Sequence, residues 1–74
     1  MKTTNKGLNI LKEADSTTRG RRVILTRKTD KRGTIKHGVV LEDKHTGLHY
    51  RVATYHTIAP AWQLYKTLRR VRPA

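Results

Sequence analysis

Between residues 34 and 55, apolar and polar residues alternate in two runs separated by DKHTG. In TIKHGVVLE, residues 34–42, Ile35, Val39 and Leu41 share one face with His37 between them, and Lys36, Gly38, Val40 and Glu42 share the other. In LHYRVATY, residues 48–55, Leu48, Tyr50 and Val52 point one way and His49, Arg51, Ala53 and Tyr55 the other. A period of two marks a strand with one buried face. Upstream, RRVILTRK, residues 21–28, is rich in β-branched residues and reads as a third strand. Two turns join the three. TDKRG supplies Asp30 and Gly33, and DKHTG supplies Gly47, which takes a left-handed conformation without a Cβ penalty.

The period changes after residue 56. At about 100° per residue, Ile58, Ala61, Trp62, Leu64, Tyr65, Leu68 and Val71 fall on one side of a helix, while Gln63, Lys66, Thr67 and Arg70 face away. Thr57 stands at the N-cap position and Pro60 in the first turn, where its missing N–H costs nothing. Arg69, Arg70 and Arg72 lie where the helix dipole favours cations, and Pro73 marks the expected end. The chain therefore predicts an α+β domain over residues 21–74, a three-stranded antiparallel meander packed on one C-terminal helix. The first twenty residues hold Leu8, Ile10 and Leu11 among polar neighbours and read as a flexible arm.

With 74 residues, a domain buries roughly 60 per cent of its surface on folding, which leaves little room for an elaborate catalytic cleft. The chain has no cysteine and no Phe. Disulfide scaffolds and thiolate zinc sites are excluded, and no apolar run is long enough to span a membrane. These features point to a soluble, cytoplasmic protein, associated with the nucleoid if bacterial or phage-encoded.

Charge changes the picture most. Seventeen Lys and Arg against five Asp and Glu give a net charge of +12. The excess is clustered: residues 19–36 hold eight bases and one acid, a net of +7, and residues 61–74 hold four bases and no acid. Residues 37–60 are neutral, with two of each sign. Two basic blocks around a neutral sheet suit a polyanion partner better than uniform solvation. If the helix covers the face bearing Leu48, Tyr50 and Val52, the free face shows Lys36, Gly38, His49, Arg51 and Ala53. The candidate nucleic-acid contacts are then Arg19, Arg21, Arg22, Arg27, Lys28, Lys31 and Arg32 for phosphates, with Lys66, Arg69, Arg70 and Arg72 from the helix. Lys36, His49 and Arg51 lie nearest to base edges.

The stretch ATYHTIAPAWQLYK, residues 53–66, resembles the strand-to-helix junction of plant-type AP2 DNA-binding domains and the related arm-binding domains of phage and transposon integrases. There a strand ends in a small residue, Thr and an aromatic, a Thr caps the helix, and Ala and Tyr face the sheet. The resemblance places Thr54, Tyr55, Thr57, Ala61 and Tyr65 in those roles and implies sheet-face contacts with duplex DNA by Lys36, His49 and Arg51. GTIKHGVVLEDKHTGLHYRV followed by PAWQLYKTLRRV is also similar to SH3-like and KOW-like small barrels, which implies binding of RNA, DNA or a protein of the transcription or translation machinery.

Catalytic patterns are sparse. Asp30 followed by Glu42, Asp43 and Lys44 has the order in which nuclease carboxylates hold Mg²⁺, but these are the residue types that hairpin turns require. His45 and His49 have a helical ligand spacing in a segment that Gly47 breaks, so no metal is assigned. Ser16, the sole serine, has no base near it in sequence. Tyr50, Tyr55, Trp62 and Tyr65 are candidates for stacking on bases, although their spacings suit core packing for Trp62 and Tyr65. The expectation is a non-enzymatic nucleic-acid-binding protein without a cofactor, with duplex DNA first. Two other classes stay open: a small phage-type adaptor or inhibitor that docks on an acidic host protein, and an RNA- or ribosome-binding module.

Overall fold

The computed structural model describes residues 8–71. Its elements run β1 (Leu8–Asp15), β2 (Arg21–Thr29), β3 (Ile35–Asp43), β4 (His49–Tyr55) and α1 (Ile58–Leu68). The strands form one antiparallel sheet in the order β1-β2-β3-β4. The α+β class and the meander agree with the sequence pattern, and the sheet has one more strand than that pattern predicts. Its ends stay open, unlike those of a closed barrel. The additional strand, β1, lies where an arm was expected. LNILKEAD mixes apolar and polar residues on both faces because an edge strand with a bulge keeps no clean alternation. Ile10 pairs with Thr26 and Lys12 with Leu25, so Leu11 is the extra residue.

The helix lies over β2, β3 and β4 and not over β1. Val23, Leu25, Val39, Ala61 and Tyr65 form the buried centre, with Ala14, Leu41, Tyr55, Trp62, Leu64 and Leu68 packed around it. Ala61 is the residue that lets the helix approach, since its methyl is completely buried while Tyr65 fills the adjoining space. Burying each of the large aliphatic side chains contributes about 1.5–3 kcal/mol.

A second bulge decides which residues of β4 face this core. Val39 pairs with Ala53 but Val40 pairs with Arg51, which leaves Val52 as the extra residue. Perfect alternation would keep Ala53 and Tyr55 on the face opposite Tyr50. The bulge instead brings Tyr50, Ala53 and Tyr55 to the helix side, opposite Leu41, Val39 and His37. Ala53 therefore leaves the free face on which the sequence pattern placed it, and Val52 is left 43% exposed.

The helix is also shorter than its apolar period. Thr57 stands at the N-cap with extended backbone, but its side chain makes no capping bond. At the other end the chain leaves the helix after Leu68, well before Pro73, because its backbone finds partners elsewhere. The Thr17 N–H donates to the Leu68 carbonyl at 2.8 Å, and the Arg70 N–H donates to the Asp15 carbonyl at 2.8 Å. Arg69 bridges to Ser16 in the same short antiparallel contact. Ser16 is thus buried, with its hydroxyl oxygen accepting the Thr18 N–H at 3.0 Å.

Two of the three hairpins, β2–β3 and β3–β4, close on aspartates. The Asp30 carboxylate accepts the N–H groups of Arg32 and Thr34 at 2.8 and 2.9 Å, and the Asp43 carboxylate accepts those of His45 and Thr46 at 2.8 and 3.2 Å. Gly33 and Gly47 take φ values of 85° and 77°, a region side chains rarely occupy. No helix among the described residues is long and apolar enough to cross a membrane.

Candidate nucleic-acid interface

The face of the sheet away from the helix is an open trough of about 860 Å³. Strand parity, reset by the bulges at Leu11 and Val52, dictates its lining. Ile24, Thr26, Gly38 and Val40 form the floor, Leu8 and Ile10 enter from β1, and Arg51 and Thr54 enter from β4. Gly38 keeps the middle open: a Cβ there would lie 2.9 Å from the Thr26 hydroxyl oxygen, which itself donates to the Gly38 carbonyl at 3.3 Å.

Charge divides this trough lengthwise. At the end near the β1–β2 and β3–β4 connections, a row of polar contacts crosses all four strands, with the Arg22 cation between two carboxylates. The Arg22 guanidinium lies 3.0 Å from Glu13 and 3.7 Å from Glu42, and Glu42 lies 3.2 Å from the His49 ring. Beside it Lys44 reaches Asp15 at 2.6 Å. That bond and the ammonium charge hold the Asp15 carboxyl below the usual range. Asp43, one residue beyond Glu42, is held low by its two backbone N–H donors. These side chains are exposed to water, so each pair contributes only about 0–1 kcal/mol.

The opposite end, at the β2–β3 hairpin, has the reverse character. Lys28 and Lys36 are direct cross-strand partners on the open face, and both are exposed. Like charges directly opposite one another destabilise a sheet. Lys31 and Arg32 extend the charge around the turn, and the single acid there, Asp30, already receives two N–H groups. Arg51, opposite Val40, is exposed over the floor two open-face pairs from Lys36 and next to the Glu42–His49 pair.

The structure thus places Lys28, Lys36 and Arg51 on the open face, the two lysines as direct partners, and Lys31 and Arg32 at its tip. His49 and Arg22 share that face but are engaged with carboxylates. The remaining candidates lie elsewhere. Arg27 pairs with His37 on the helix side. Arg21 stacks over Tyr50 at 4.9 Å, Lys66 lies 5.8 Å from the Trp62 ring, and Arg69 lies 5.9 and 5.7 Å from the rings of Trp62 and Tyr65. Arg19 is in the β1–β2 turn, Arg70 follows the helix, and Arg72 lies outside the described residues. Trp62 and Tyr65 stack on each other with centroids 5.4 Å apart, and burial raises the Tyr65 hydroxyl pKa, so both act as core. Sequence reasoning missed Lys12, which faces the helix side opposite Leu25, and the floor residues Thr26 and Thr54. The period-two pattern of β2 contained Thr26, and the rest depended on the two bulges.

The residues with nuclease-like order do not converge. Asp30 and Glu42–Lys44 stand at opposite ends of the nine-residue strand β3, on the order of 30 Å apart at the rise of an extended chain. No group of three or more His, Asp or Glu side chains is arranged to hold a metal among the described residues.

Fold and face together describe a small basic α+β protein with an uncovered, partly cationic sheet. The chain matches no protein family, and no curated protein or solved structure matches it.

Proposed function

We propose that this protein binds nucleic acid without catalysis, with duplex DNA as the first partner, in the cytoplasm or on a nucleoid. The observation that carries this reading is an exhausted supply of internal counter-charge. All five carboxylate side chains are occupied, three in ion pairs and two by turn N–H groups. Among the described residues, Arg22 and Lys44 are the Lys and Arg that pair with a carboxylate, and the others keep their charge for an outside anion. A facing pair such as Lys28 and Lys36 gains most when phosphates lie against it. The B-form major groove, about 12 Å wide, admits a two-stranded ribbon such as the β2–β3 hairpin, whereas the A-form groove is too narrow, which favours DNA over duplex RNA. The resemblance of residues 53–66 to AP2-type and integrase-arm domains supports the same mode, with Lys36 and Arg51 nearest to base edges.

Duplex binding measured by fluorescence anisotropy across salt concentrations tests this reading. With about six to ten phosphate contacts, affinity falls roughly 10³- to 10⁵-fold between 50 and 200 mM salt. An affinity indifferent to salt overturns the proposal.

A second reading rests on the apolar part of the trough. Leu8, Ile10, Ile24 and Val40 line it beside the cations, and Ile10 is 46% exposed. Such a mixture suits an acidic protein surface with an apolar centre. A protein partner that stays bound after nuclease treatment, and is lost in Ile10→Ser but not in Lys28→Gln, selects this reading over the first.

A further inference from the structure

Strand parity sends basic side chains to both sides of the sheet. The open side carries Lys28, Lys36 and Arg51. The helix side carries Lys12, opposite Leu25 on the strand that the helix leaves uncovered, Arg27, opposite His37, and Lys66 on the helix itself. Asp43, opposite Arg21, is the acid of that side, and its carboxylate is turned into its own loop by two N–H donors. The ion pairs formed by Glu13, Asp15 and Glu42 all involve open-side strand positions. The helix side therefore has less internal neutralisation than the trough, although the trough is the face that resembles a binding site.

We propose that the two sides hold two separate duplexes, so that one molecule bridges DNA. This inference rests on the nucleic-acid reading and extends it. The body measures 41 × 30 × 19 Å, and its shortest dimension exceeds the Debye length of about 8 Å at physiological ionic strength. Phosphates held on opposite sides are therefore largely screened from each other, while the protein charge between them attracts both. A duplex on one side alone leaves the cations of the other side without an anion.

The test uses the full chain, one duplex immobilised on beads and a second, fluorescently labelled duplex in solution. The expected result is capture of the labelled duplex that depends on protein. Two triple variants separate the sides: Lys28→Gln, Lys36→Gln and Arg51→Gln on one, Lys12→Gln, Arg27→Gln and Lys66→Gln on the other, each checked for folding by circular dichroism. Each variant should still bind a single duplex at low salt, with a salt slope smaller by about 0.9 for every phosphate no longer neutralised, and should capture the second duplex at least tenfold less well. Single-duplex binding by the native chain without capture overturns bridging and leaves the simpler reading standing. Absence of any duplex binding overturns both. Capture retained in either triple variant, or capture that tracks formation of a protein dimer in sedimentation, overturns the two-sided arrangement.

Discussion

The two ends of the sheet are built from the same strands and treat charge in opposite ways. At the loop end, Arg22 lies between Glu13 and Glu42, Glu42 also touches the His49 ring at the far edge of the sheet, and Lys44 closes on Asp15. At the hairpin end, Lys28 faces Lys36, and Lys31 and Arg32 follow with no carboxylate to spare. The first arrangement is what a sheet uses to stabilise itself. The second opposes folding slightly and is retained in a domain whose size leaves little stability in reserve. The difference separates charges that serve the fold from charges available to a ligand.

The comparison breaks most completely when the core that both ends share is removed. Leu25→Ala takes a fully buried side chain from beneath the helix and should lower unfolding free energy by about 2–5 kcal/mol, read from urea or thermal melts. Both ends then lose their geometry together, and a drop below about 1 kcal/mol would show that the helix does not anchor the sheet at this point.

Lys36→Glu sharpens the contrast. It places opposite charges across β2 and β3 at the hairpin, so stability should rise by about 0.2–1 kcal/mol. Duplex affinity should fall in the same variant, with a salt slope reduced by roughly 0.9 or more. Equal affinity with raised stability would remove the hairpin end from the interface.

Arg22→Gln at the other end should do the reverse. It frees Glu13 and Glu42 from their shared partner and should cost up to about 1 kcal/mol, because the pairs are water-exposed. The salt slope of duplex binding should not change. A slope lowered by about 0.9 would mean that Arg22 leaves its carboxylates for phosphate.

The smallest effect is acid sensitivity of the loop end. Asp15 and Asp43 have carboxyls held below their ordinary value when folded, so their contribution is complete above the unfolded pKa of about 3.9. It is lost as pH falls through the lower folded values. Melts from about pH 5 down to about pH 2 should show stability declining below about pH 4, and less steeply in Asp43→Asn. Stability that rises across this window would contradict the two depressed carboxyls.

Local chemistry made much of this fold legible. β2, β3, β4 and the helix follow from period and β-branching, and the turns follow from Asp30 with Gly33 and Asp43 with Gly47. Ala61 and Tyr65 follow from helical spacing, as the resemblance of residues 53–66 also implied. β1 did not, because an edge strand buries little and its bulge at Leu11 breaks the alternation that reveals a strand. The free face was legible in Lys36 and Arg51 but not in Ala53, since the bulge at Val52 is invisible in a run that alternates cleanly.

What the amino-acid sequence determined by itself is therefore short-range: strand and helix periods, turn residues, and an excess of positive charge in two blocks. Only the tertiary structure decided which cations meet a carboxylate, because Arg22, Glu13 and Glu42 come from three strands and touch through register alone. It also decided where the helix stops, since Leu68 and Arg70 find their hydrogen-bond partners at Thr17 and Asp15, near the other end of the chain. Periodicity reports on neighbours in sequence, whereas charge pairing and chain termination depend on neighbours in space.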